Sequence, residues 1–376
     1  MLKKSLVRGL IATATAAAIF STGASAQELR LTPGLPPAHP GHTPLFTVFQ
    51  EQITERSDGT LNSRILGQEV ANIGNMRTAI TSGLSDAGMF LPAYFPSDLP
   101  NINLVGDLSF MGSNPHAQAA AMTEYIVNCA DCQAELKRLG VVFTSSHSSD
   151  IYQILTTSPV RTPDDLRGLR LRVGGPQFAR WVEGMGATPS NTSVGEQFEA
   201  ISQGVLDGSV ASSADMLSFR LDDVVGYVTT LPLGTYQSTI SHAFSARTWA
   251  RLSPEHRRVV AESSSYASAM ATQRWGFDLA EIANNNAREK GVEFLQPSPE
   301  LLEASERLKT SDLAAVPAMA AERDGISDAA AKVAQFQMLV NKWEGIAEGV
   351  GNDPAAIAEV MDREIWDKVD FSTYGL

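Results

Sequence analysis

Apolar and polar positions along the chain follow two alternating periods, and this pattern predicts a mixed α/β fold. After residue 27, short apolar runs with the two-residue period of strands are separated by segments with the helical period of about 3.6 residues. Strands are predicted at 28–32, 61–66, 84–90, 140–145, 169–173, 188–193, 206–213, 224–228 and 237–244. Helices are predicted at 43–57, 73–82, 116–128, 178–185, 196–203 and 253–290, and the chain from 299 to 370 is mostly helical.

The stretch from Thr162 to Pro176 combines a helix start, a turn, a strand and a glycine-rich exit. Thr162 is suited to cap a helix, Pro163 fits its first position, and Gly168 ends the turn. Apolar residues then alternate with two arginines, and the second, Arg172, stands at the carboxyl end of the strand. Ligands of open α/β sheets bind at that edge, and an arginine can hold a carboxylate through two parallel hydrogen bonds. Arg172 is therefore a candidate anion-binding residue, with an ordinary surface arginine as the alternative.

Two ten-residue segments share one pattern. Residues 79–88 read AITSGLSDAG, and residues 200–209 read AISQGVLDGS. Each contains the end of a helix, a glycine suited to a left-handed cap, two linker residues and an Asp that opens a strand. The match predicts two related α/β lobes, one before and one after residue 150.

One long helix is predicted from 253 to 290. Ser253 and Pro254 are strong N-terminal signals, and no proline interrupts the pattern before Gly291. At about 1.5 Å per residue this helix would be ~54 Å long, which exceeds the width of one lobe. The expected architecture is therefore α/β, a two-lobed clamshell with a long helix spanning both lobes. Lobe I is assigned 27–150 with part of 238–290 and the C-terminal helices, and lobe II is assigned 151–237 with part of 280–330.

The first 26 residues have the features of a secretory signal peptide. Lys3, Lys4 and Arg8 precede a short apolar run, and an Ala-Ser-Ala cleavage motif ends at Ala26. The run is too short to cross a bilayer, and no later stretch is long and apolar enough to do so. A soluble periplasmic protein, cleaved near Ala26, is expected.

The net charge bears on the class of partner. Without the three basic residues of the signal peptide, 26 basic residues stand against 42 acidic ones, a net charge of −16. This excess of negative charge argues against nucleic acid or an anionic membrane surface as a partner. A small ligand remains compatible, because a local positive cleft can lie inside a negative protein.

The two cysteines, Cys129 and Cys132, lie in the segment NCADC after a predicted helix. A thioredoxin-like redox motif would instead follow a strand in an α/β unit. In an oxidising compartment these residues predict a structural disulfide at a helix–helix junction, with redox chemistry and metal binding as alternatives.

The sequence shows no familiar catalytic signature. It has no G-x-S-x-G elbow, no H-E-x-x-H motif, no P-loop and no G-x-G-x-x-G after a strand. His39 and His42 form a His-x-x-His pair in a Pro/Gly loop, but no nearby carboxylate or cysteine completes a metal site. A binding protein is predicted rather than an enzyme, with no metal and no cofactor.

Three segments resemble the DctP-like periplasmic substrate-binding proteins of tripartite ATP-independent periplasmic (TRAP) transporters. TPDDLRGLRLRV at 162–173 is similar to the family's T-P-x-D-L-x-G-x-K-x-R segment, and EAISQGVLDG at 199–208 to its aromatic-x-A-L-x-x-G-x-V-D-G segment. RTWARLSPEHRRVV at 247–260 is similar to the start of the family's long helix. The resemblance covers nearly all of 28–350.

The resemblance implies an extracytoplasmic solute receptor that closes on a small organic acid and delivers it to an ion-gradient-driven TRAP membrane permease. The family arginine that binds the ligand carboxylate corresponds to Arg172. The family often has Glu-Asn-Pro after V-D-G, whereas residues 209–212 read SVAS, and an arginine of some members is replaced near Gln153. Both differences favour a monocarboxylate with an apolar or hydroxylated remainder over a dicarboxylate.

Further candidate ligand contacts are chosen by their position at or near predicted strand ends. They are Gln153, Tyr152, Ser212, Phe219, Tyr236, His242, His39, Glu69 and Phe90. For each, packing in the core or exposure at the surface is the alternative. Asp207 is assigned to its turn, because a carboxylate would repel an anionic ligand.

Two other functions stay open from the residues alone. A solute-binding protein of another transport or sensing system would share the clamshell, and neighbouring genes for small and large membrane subunits would favour the TRAP system. An exported enzyme would turn over a bound acid, whereas a receptor would release it intact.

Overall fold

The computed structural model describes residues 27–376, which form two α/β lobes built around one sheet each. The predicted signal peptide, residues 1–26, lies outside the described residues. The strands are β1 Gln27–Thr32, β2 Leu61–Ile65, β3 Ala87–Phe90, β4 Val141–Val142, β5 Gln153–Thr156, β6 Arg170–Arg172, β7 Thr188–Ser190, β8 Gly208–Ala211, β9 Tyr227–Thr229, β10 Ile240–Ser245 and β11 Glu293–Leu295. The sheet of the first lobe has the order β2-β1-β3-β10-β4, and that of the second β11-β9-β5-β8-β6-β7.

Helices cover both sheets and fill the C-terminal part of the chain. They are α1 Leu45–Arg56, α2 Met76–Ser82, α3 Pro100–Gly106, α4 Pro115–Asn128, α5 Ala130–Leu139, α6 Pro163–Leu166, α7 Pro176–Gly184, α8 Gln197–Ser202, α9 Asp215–Ser218, α10 Ala246–Arg251, α11 Pro254–Gln273, α12 Leu279–Glu289, α13 Pro299–Asp324, α14 Ala329–Gly349 and α15 Pro354–Glu364. None of the helices within 27–376 has the length and apolar character needed to cross a membrane.

Parallel strands in each sheet set the position of the site. In the first lobe β1 pairs in parallel with β2 and β3, and β10 runs antiparallel to β3 and β4. In the second lobe β6 pairs in parallel with β7 and β8, while β5 runs antiparallel to β8 and β9. The carboxyl ends of β1 and β3, and those of β6 and β8, therefore lie together at one edge of each sheet.

The two ten-residue segments that match in sequence also fold alike. Arg30 donates its backbone N–H to Asp86 Oδ2 at 2.9 Å, and its guanidinium bonds the same carboxylate and the carbonyl of Gly83. In the second lobe Arg170 donates its N–H to Asp207 Oδ2 at 2.8 Å and bonds Gly204 in the same way. The side chain of Asp207 thus bonds Arg170 at the start of β6, in agreement with its predicted role in the turn.

Two irregular segments and two long helices connect the lobes. Residues 143–152 lead from β4 to β5, and residues 230–239 lead back from β9 to β10. Residues 144–149 read TSSHSS and are fully buried, so their polar groups need internal partners. Serine hydroxyls provide several of them: Ser145 Oγ lies 2.6 Å from Ser268 Oγ, which lies 2.7 Å from Ser241 Oγ. His147 Nε2 and Ser148 Oγ are buried without a partner.

The predicted lobe-spanning helix is present, but it is interrupted. α11 packs against α1, α4 and α15 of the first lobe, and α12 packs against α9 of the second. Between them, residues Arg274–Asp278 form a π-helical turn, and α10 precedes α11 as a separate short helix. α13 also touches both lobes, since it packs on α7 and on α14.

Some strand bounds differ from the predicted ones. The strand predicted at 84–90 begins at 87, because Ser85 and Asp86 are used in the turn: Ser85 Oγ donates to Ala87 O at 2.7 Å. The strand predicted at 224–228 is shifted to β9, since 221–223 forms a short helical turn. β11, which pairs in parallel with β9, was not predicted, because three residues are too few for a period.

Cys129 and Cys132 form a disulfide between α4 and α5, as predicted. The Cys129 sulfur also accepts the backbone N–H of Cys132 at 3.1 Å, which caps the first turn of α5.

Candidate functional site

A buried slot lies where the carboxyl ends of the parallel strands of both lobes meet. Its lining residues are Leu35, His39, Met89, Leu91, Tyr152, Arg172, Gly174, Val194, Asp215, Tyr236 and Trp275. The cavity that they enclose has a volume of about 20 Å³, which is about enough for one water molecule. The slot is therefore narrow, and it occupies the position at which open α/β sheets bind ligands.

Arg172, the last residue of β6, extends its side chain into this slot and is only 2% exposed. Its Nε donates to the carbonyl of Thr192 at 3.1 Å, and its Nη2 to the hydroxyl of Tyr94 at 3.4 Å. Nη1 is buried and has no hydrogen-bond partner. A guanidinium donates five N–H bonds in a planar fork, so the free Nη1 can receive an acceptor atom of a ligand.

The surroundings keep Arg172 charged. Burial alone lowers the pKa of its guanidinium, but the tyrosines around it and the carboxylate of Asp215 raise it, with Tyr94 contributing most. The net pKa is raised. The slot therefore presents a permanent, incompletely paired positive charge.

Two tyrosines that line the slot belong to a stack of three aromatic rings. Tyr152 lies against Phe178 with ring centroids 5.0 Å apart, and against Tyr236 with centroids 5.9 Å apart and an interplanar angle of 8°. Burial raises the pKa of both tyrosines, so their hydroxyls stay protonated. The Tyr236 hydroxyl is buried and has no hydrogen-bond partner, which leaves a second free polar group at the slot.

His39 and Asp215 approach each other across the slot without closing a hydrogen bond. His39 Nε2 lies 3.7 Å from Asp215 Oδ1, and these residues are 2% and 1% exposed. His39 Nδ1 accepts the backbone N–H of Gly41 at 2.9 Å, so the ring nitrogen that can donate is Nε2. Asp215 Oδ1 has no hydrogen-bond partner.

The π-helical turn of the long helix supplies Trp275. Its indole N–H donates to Ser212 Oγ at 3.0 Å, and its ring packs edge-on against His39 with centroids 4.9 Å apart. At the next residue, Gly276, a Cβ would lie 2.8 Å from Pro115 Cβ at the start of α4. The close approach of α4 therefore requires glycine there, and π turns occur often at functional sites.

A second buried carboxyl, Asp150, lies near the slot. Its Oδ2 accepts the backbone N–H of Ser213 at 3.0 Å, while Oδ1 has no partner. Burial raises the pKa of Asp150 to about 8; the bond from Ser213 opposes this rise, and the charge of Asp215 adds to it. The carboxyl is therefore mostly protonated at neutral pH.

Four of the ten predicted ligand contacts line the slot: Arg172, Tyr152, Tyr236 and His39. Two others support the lining from behind. Phe219 packs against the His39 ring with centroids 5.3 Å apart, and Ser212 accepts the Trp275 bond.

The other four predicted contacts lie elsewhere. Gln153 donates to Ser213 Oγ at 2.8 Å, Phe90 stacks on Phe95 in the first lobe, and Glu69 is exposed. His242 lies in the core of the first lobe, where it stacks on Phe49 with centroids 4.0 Å apart.

His242 has a structural environment. Its Nδ1 lies 2.7 Å from Ser264 Oγ, and its Nε2 lies 3.3 Å from the carbonyl of Leu45. Burial lowers the pKa of its imidazole to about 3, so the ring is neutral. It packs and bonds within the first lobe.

Several lining residues, and Tyr94, whose hydroxyl accepts a bond from Arg172, were not among the predicted contacts. Asp215 follows β8 by four residues and Tyr94 follows β3 by four, so the rule that ligands bind beyond carboxyl ends could have indicated both. Trp275 had one local signal, the adjacent glycine inside a long helix. No feature of the sequence distinguishes the apolar lining residues from ordinary core residues. These lining residues are Leu35, Met89, Leu91 and Val194.

A larger groove of about 950 Å³ lies on the surface between α7 and α13. Its charged residues include both signs, for example Arg167 and Glu183. None of its lining residues has a buried polar atom without a partner, whereas the slot holds three such residues in Arg172, Asp215 and Tyr236. The slot is therefore the better candidate for a specific site.

Comparison with known proteins gives consistent matches over most of the chain. A solute-binding protein of Chromohalobacter salexigens is 24% identical over 306 residues, covering 75% of this chain and 89% of that protein. A TRAP periplasmic solute-binding protein of Bordetella bronchiseptica, solved with bound (R)- and (S)-mandelate, is 25% identical with a TM-score of 0.72, covering 84% of this chain and 99% of that chain.

A second solved structure shows the same fold. It is a marine metagenome TRAP solute-binding protein specific for aromatic acid ligands, in complex with 3-hydroxybenzoate. It is 22% identical with a TM-score of 0.75, and the match covers 85% of this chain and 99% of that one.

The family model described as bacterial extracellular solute-binding protein, family 7 (DctP), matches residues 33–314, which is most of the chain. The two lobes, the spanning helix and the slot between the strand ends agree with this match. The chain belongs to family 7 of the bacterial extracellular solute-binding proteins.

Proposed function

We propose that this protein is an extracytoplasmic receptor that binds a small monocarboxylate in the slot and delivers it to a TRAP membrane permease. The observation that carries the proposal is the free Nη1 of buried Arg172. A carboxylate would pair with this atom and supply the acceptor it lacks. Tyr152, Tyr236 and His39 are proposed as further contacts of the same ligand, because they line the same slot.

A monocarboxylate is proposed over a dicarboxylate for two reasons. The carboxylate of Asp215 faces the slot and would repel a second ligand carboxylate. Leu35, Met89, Leu91 and Trp275 offer an apolar surface to the remainder of the ligand. The Bordetella relative was solved with mandelate and the metagenome protein with 3-hydroxybenzoate, and both ligands carry one carboxylate and one ring.

Binding is proposed to proceed by closure of the lobes, with 27–150 as the main part of lobe I and 151–237 of lobe II. The anion enters when the lobes are apart, pairs with Arg172, and is enclosed when they close. Closure removes water from the pair and so strengthens it. Contacts between the lobes support this scheme: Tyr94 Oη accepts the Val194 N–H at 3.1 Å, and Gln177 Nε2 donates to Ser109 Oγ at 2.8 Å.

The first test is the affinity of the mature chain for benzoate, mandelate and short aliphatic acids, measured by calorimetry in wild type and Arg172→Met. Loss of one member of a buried charge pair typically costs about 2–5 kcal/mol, so Arg172→Met should weaken binding by roughly 30-fold or more. A co-purified acid is removed first by denaturation and refolding. Recovery of that acid unchanged would also support a receptor rather than an enzyme.

A second variant tests the position of the carboxylate. A Cβ at Gly174 would lie 3.5 Å from Arg172 Nη1, an ordinary contact that leaves the guanidinium in place. The added methyl group would occupy space beside Nη1, where the ligand carboxylate is proposed to lie. Gly174→Ala should therefore weaken binding, while the Tm measured without ligand stays close to that of wild type. Unchanged affinity in Arg172→Met would overturn the proposed function.

Export and delivery are proposed together. The expected cleavage near Ala26 is checked by the N-terminal sequence of the protein recovered from the periplasm. Uptake of the bound acid into vesicles that contain a TRAP permease, driven by an ion gradient and dependent on this protein, would test the partner.

A further inference from the structure

We propose that His39 and Asp215 form a hydroxyl-recognition pair, so that the ligand is a hydroxylated monocarboxylate. This inference rests on the proposed function, because it assigns Arg172 to the carboxylate end of the same ligand.

The separation of the two side chains is the first observation. His39 Nε2 and Asp215 Oδ1 are 3.7 Å apart, which is longer than the roughly 2.7–3.2 Å of a hydrogen bond between nitrogen and oxygen. Asp215 Oδ1 is buried and has no partner. The fold thus brings a donor and an acceptor into the slot without joining them.

The directions of the bonds restrict what can fill this place. The bond from Gly41 to His39 Nδ1 leaves the ring proton on Nε2, so His39 can donate into the slot. Asp215 Oδ1 is a carboxyl oxygen without a partner, and it offers an acceptor to the slot. The ligand group must therefore accept from His39 and donate to Asp215 at the same time.

A hydroxyl group meets both requirements, since it has one O–H donor and acceptor lone pairs. An ammonium group only donates and would leave Nε2–H without an acceptor. A second carboxylate only accepts and would lie against Asp215. An apolar ligand would leave both groups buried without a partner, which is unfavourable.

The surroundings hold the pair in place. Trp275 and Phe219 pack on the His39 ring, with centroids 4.9 and 5.3 Å away. Ser212 Oγ accepts the backbone N–H of Asp215 at 3.3 Å. Because the orientations are fixed before binding, the pair can discriminate between ligands that differ by one hydroxyl.

The experiment compares acids that differ by that single group. Calorimetry measures wild-type affinity for 2-, 3- and 4-hydroxybenzoate against benzoate, mandelate against phenylacetate, and lactate against propionate. Bonds to charged groups are the stronger ones, so the best hydroxylated member should bind at least tenfold more tightly than its parent. Phenylglycine, which has an ammonium group where mandelate has a hydroxyl, should bind more weakly than mandelate.

The variants assign the preference to Asp215. Leucine resembles aspartate in shape but has no acceptor, so Asp215→Leu should reduce the hydroxyl preference to about one while the parent acid still binds. Glu69→Gln, at an exposed carboxylate outside the slot, should keep the wild-type preference. If Asp215→Leu does not fold, the wild-type affinities for the hydroxylated acids relative to their parent acids decide whether the inference holds.

The possible failures can be told apart. If the parent acids bind in an Arg172-dependent way but hydroxylated acids bind no better, this inference is wrong and the proposed function stands. If the preference persists in Asp215→Leu, or the ammonium compound binds best, the inference is also wrong. If no acid of the set binds, both proposals fail.

Discussion

Arg172 and Asp215 line the same slot, and each keeps one buried atom without a hydrogen-bond partner. Burying a charged group without full pairing is unfavourable, by several kcal/mol per ion in many proteins. A ligand that supplies the missing partners removes this penalty on binding. Under the proposed function, the two residues that are incompletely paired in the free protein would therefore contribute to the affinity for the ligand.

Asp150 gives the stability of the protein a pH dependence that can be isolated. Its pKa is raised to about 8 by burial, whereas in the unfolded chain it is about 3.9. Between these values the folded state holds a proton that the unfolded state has lost, so stability falls as the pH rises from about 4 to 8. Asp150→Asn removes this contribution, and the Tm of the variant minus that of wild type should increase steadily from pH 5 to pH 8.

Asp107 provides a matched control with a different range of pH. Burial raises its pKa to about 6, against the opposing charges of Arg180 and Arg323. The Tm of Asp107→Asn minus the Tm of wild type should increase up to pH 6 and level off by pH 7. A flat difference for Asp150→Asn between pH 5 and 8 would show that its carboxyl is ionised in the folded protein.

At the scale of elements, the long helix shows what a local pattern can and cannot predict. Its start at Pro254 and its end near Glu289 follow from capping residues and from the absence of proline. At the π turn Arg274–Asp278, by contrast, Gly276 lies against Pro115 of α4. The hydrophobic pattern of the long helix contains no information about this neighbouring helix, so the interruption could not be predicted from the sequence.

Gly276→Ala tests whether this close approach fixes the π turn. Alanine is favoured over glycine inside a helix by about 1 kcal/mol, but overpacking against rigid neighbours typically costs about 1–3 kcal/mol. Because the added Cβ would lie 2.8 Å from Pro115 Cβ, we expect a lower Tm and weaker ligand binding through displacement of Trp275. Gly345→Ala in α14, where no atom lies within 4 Å, should instead raise the Tm. Equal increases in both variants would contradict the assigned role of Gly276.

At the scale of the whole molecule, the two-lobed fold and Arg172 were predictable, whereas most of the slot was not. The turn before Arg172, its strand and the glycines that follow all lie within one short segment of the chain. The position of Arg172 at a strand end can therefore be predicted from the sequence. Tyr94, Asp215 and Trp275 come from three distant segments, and only the packing of the lobes brings them to one slot. His242, in contrast, ends in the core because Phe46 and Phe49 of α1 cover it, a contact between segments almost 200 residues apart.

The hydroxyl of Tyr94 joins the two lobes, because it accepts bonds from Val194 and Arg172 of the second lobe. Tyr94→Phe removes both while keeping the ring. With about 1 kcal/mol for each bond, the ligand dissociation rate should rise on the order of 5- to 30-fold, since losses at a closed interface act mainly on dissociation. Stopped-flow dissociation measures this rate. Tyr374→Phe is the matched control, because its hydroxyl donates to Phe143 within the first lobe at 3.0 Å. It should lower the Tm but leave dissociation unchanged, and equal dissociation rates in Tyr94→Phe and wild type would show that Tyr94 does not hold the lobes together.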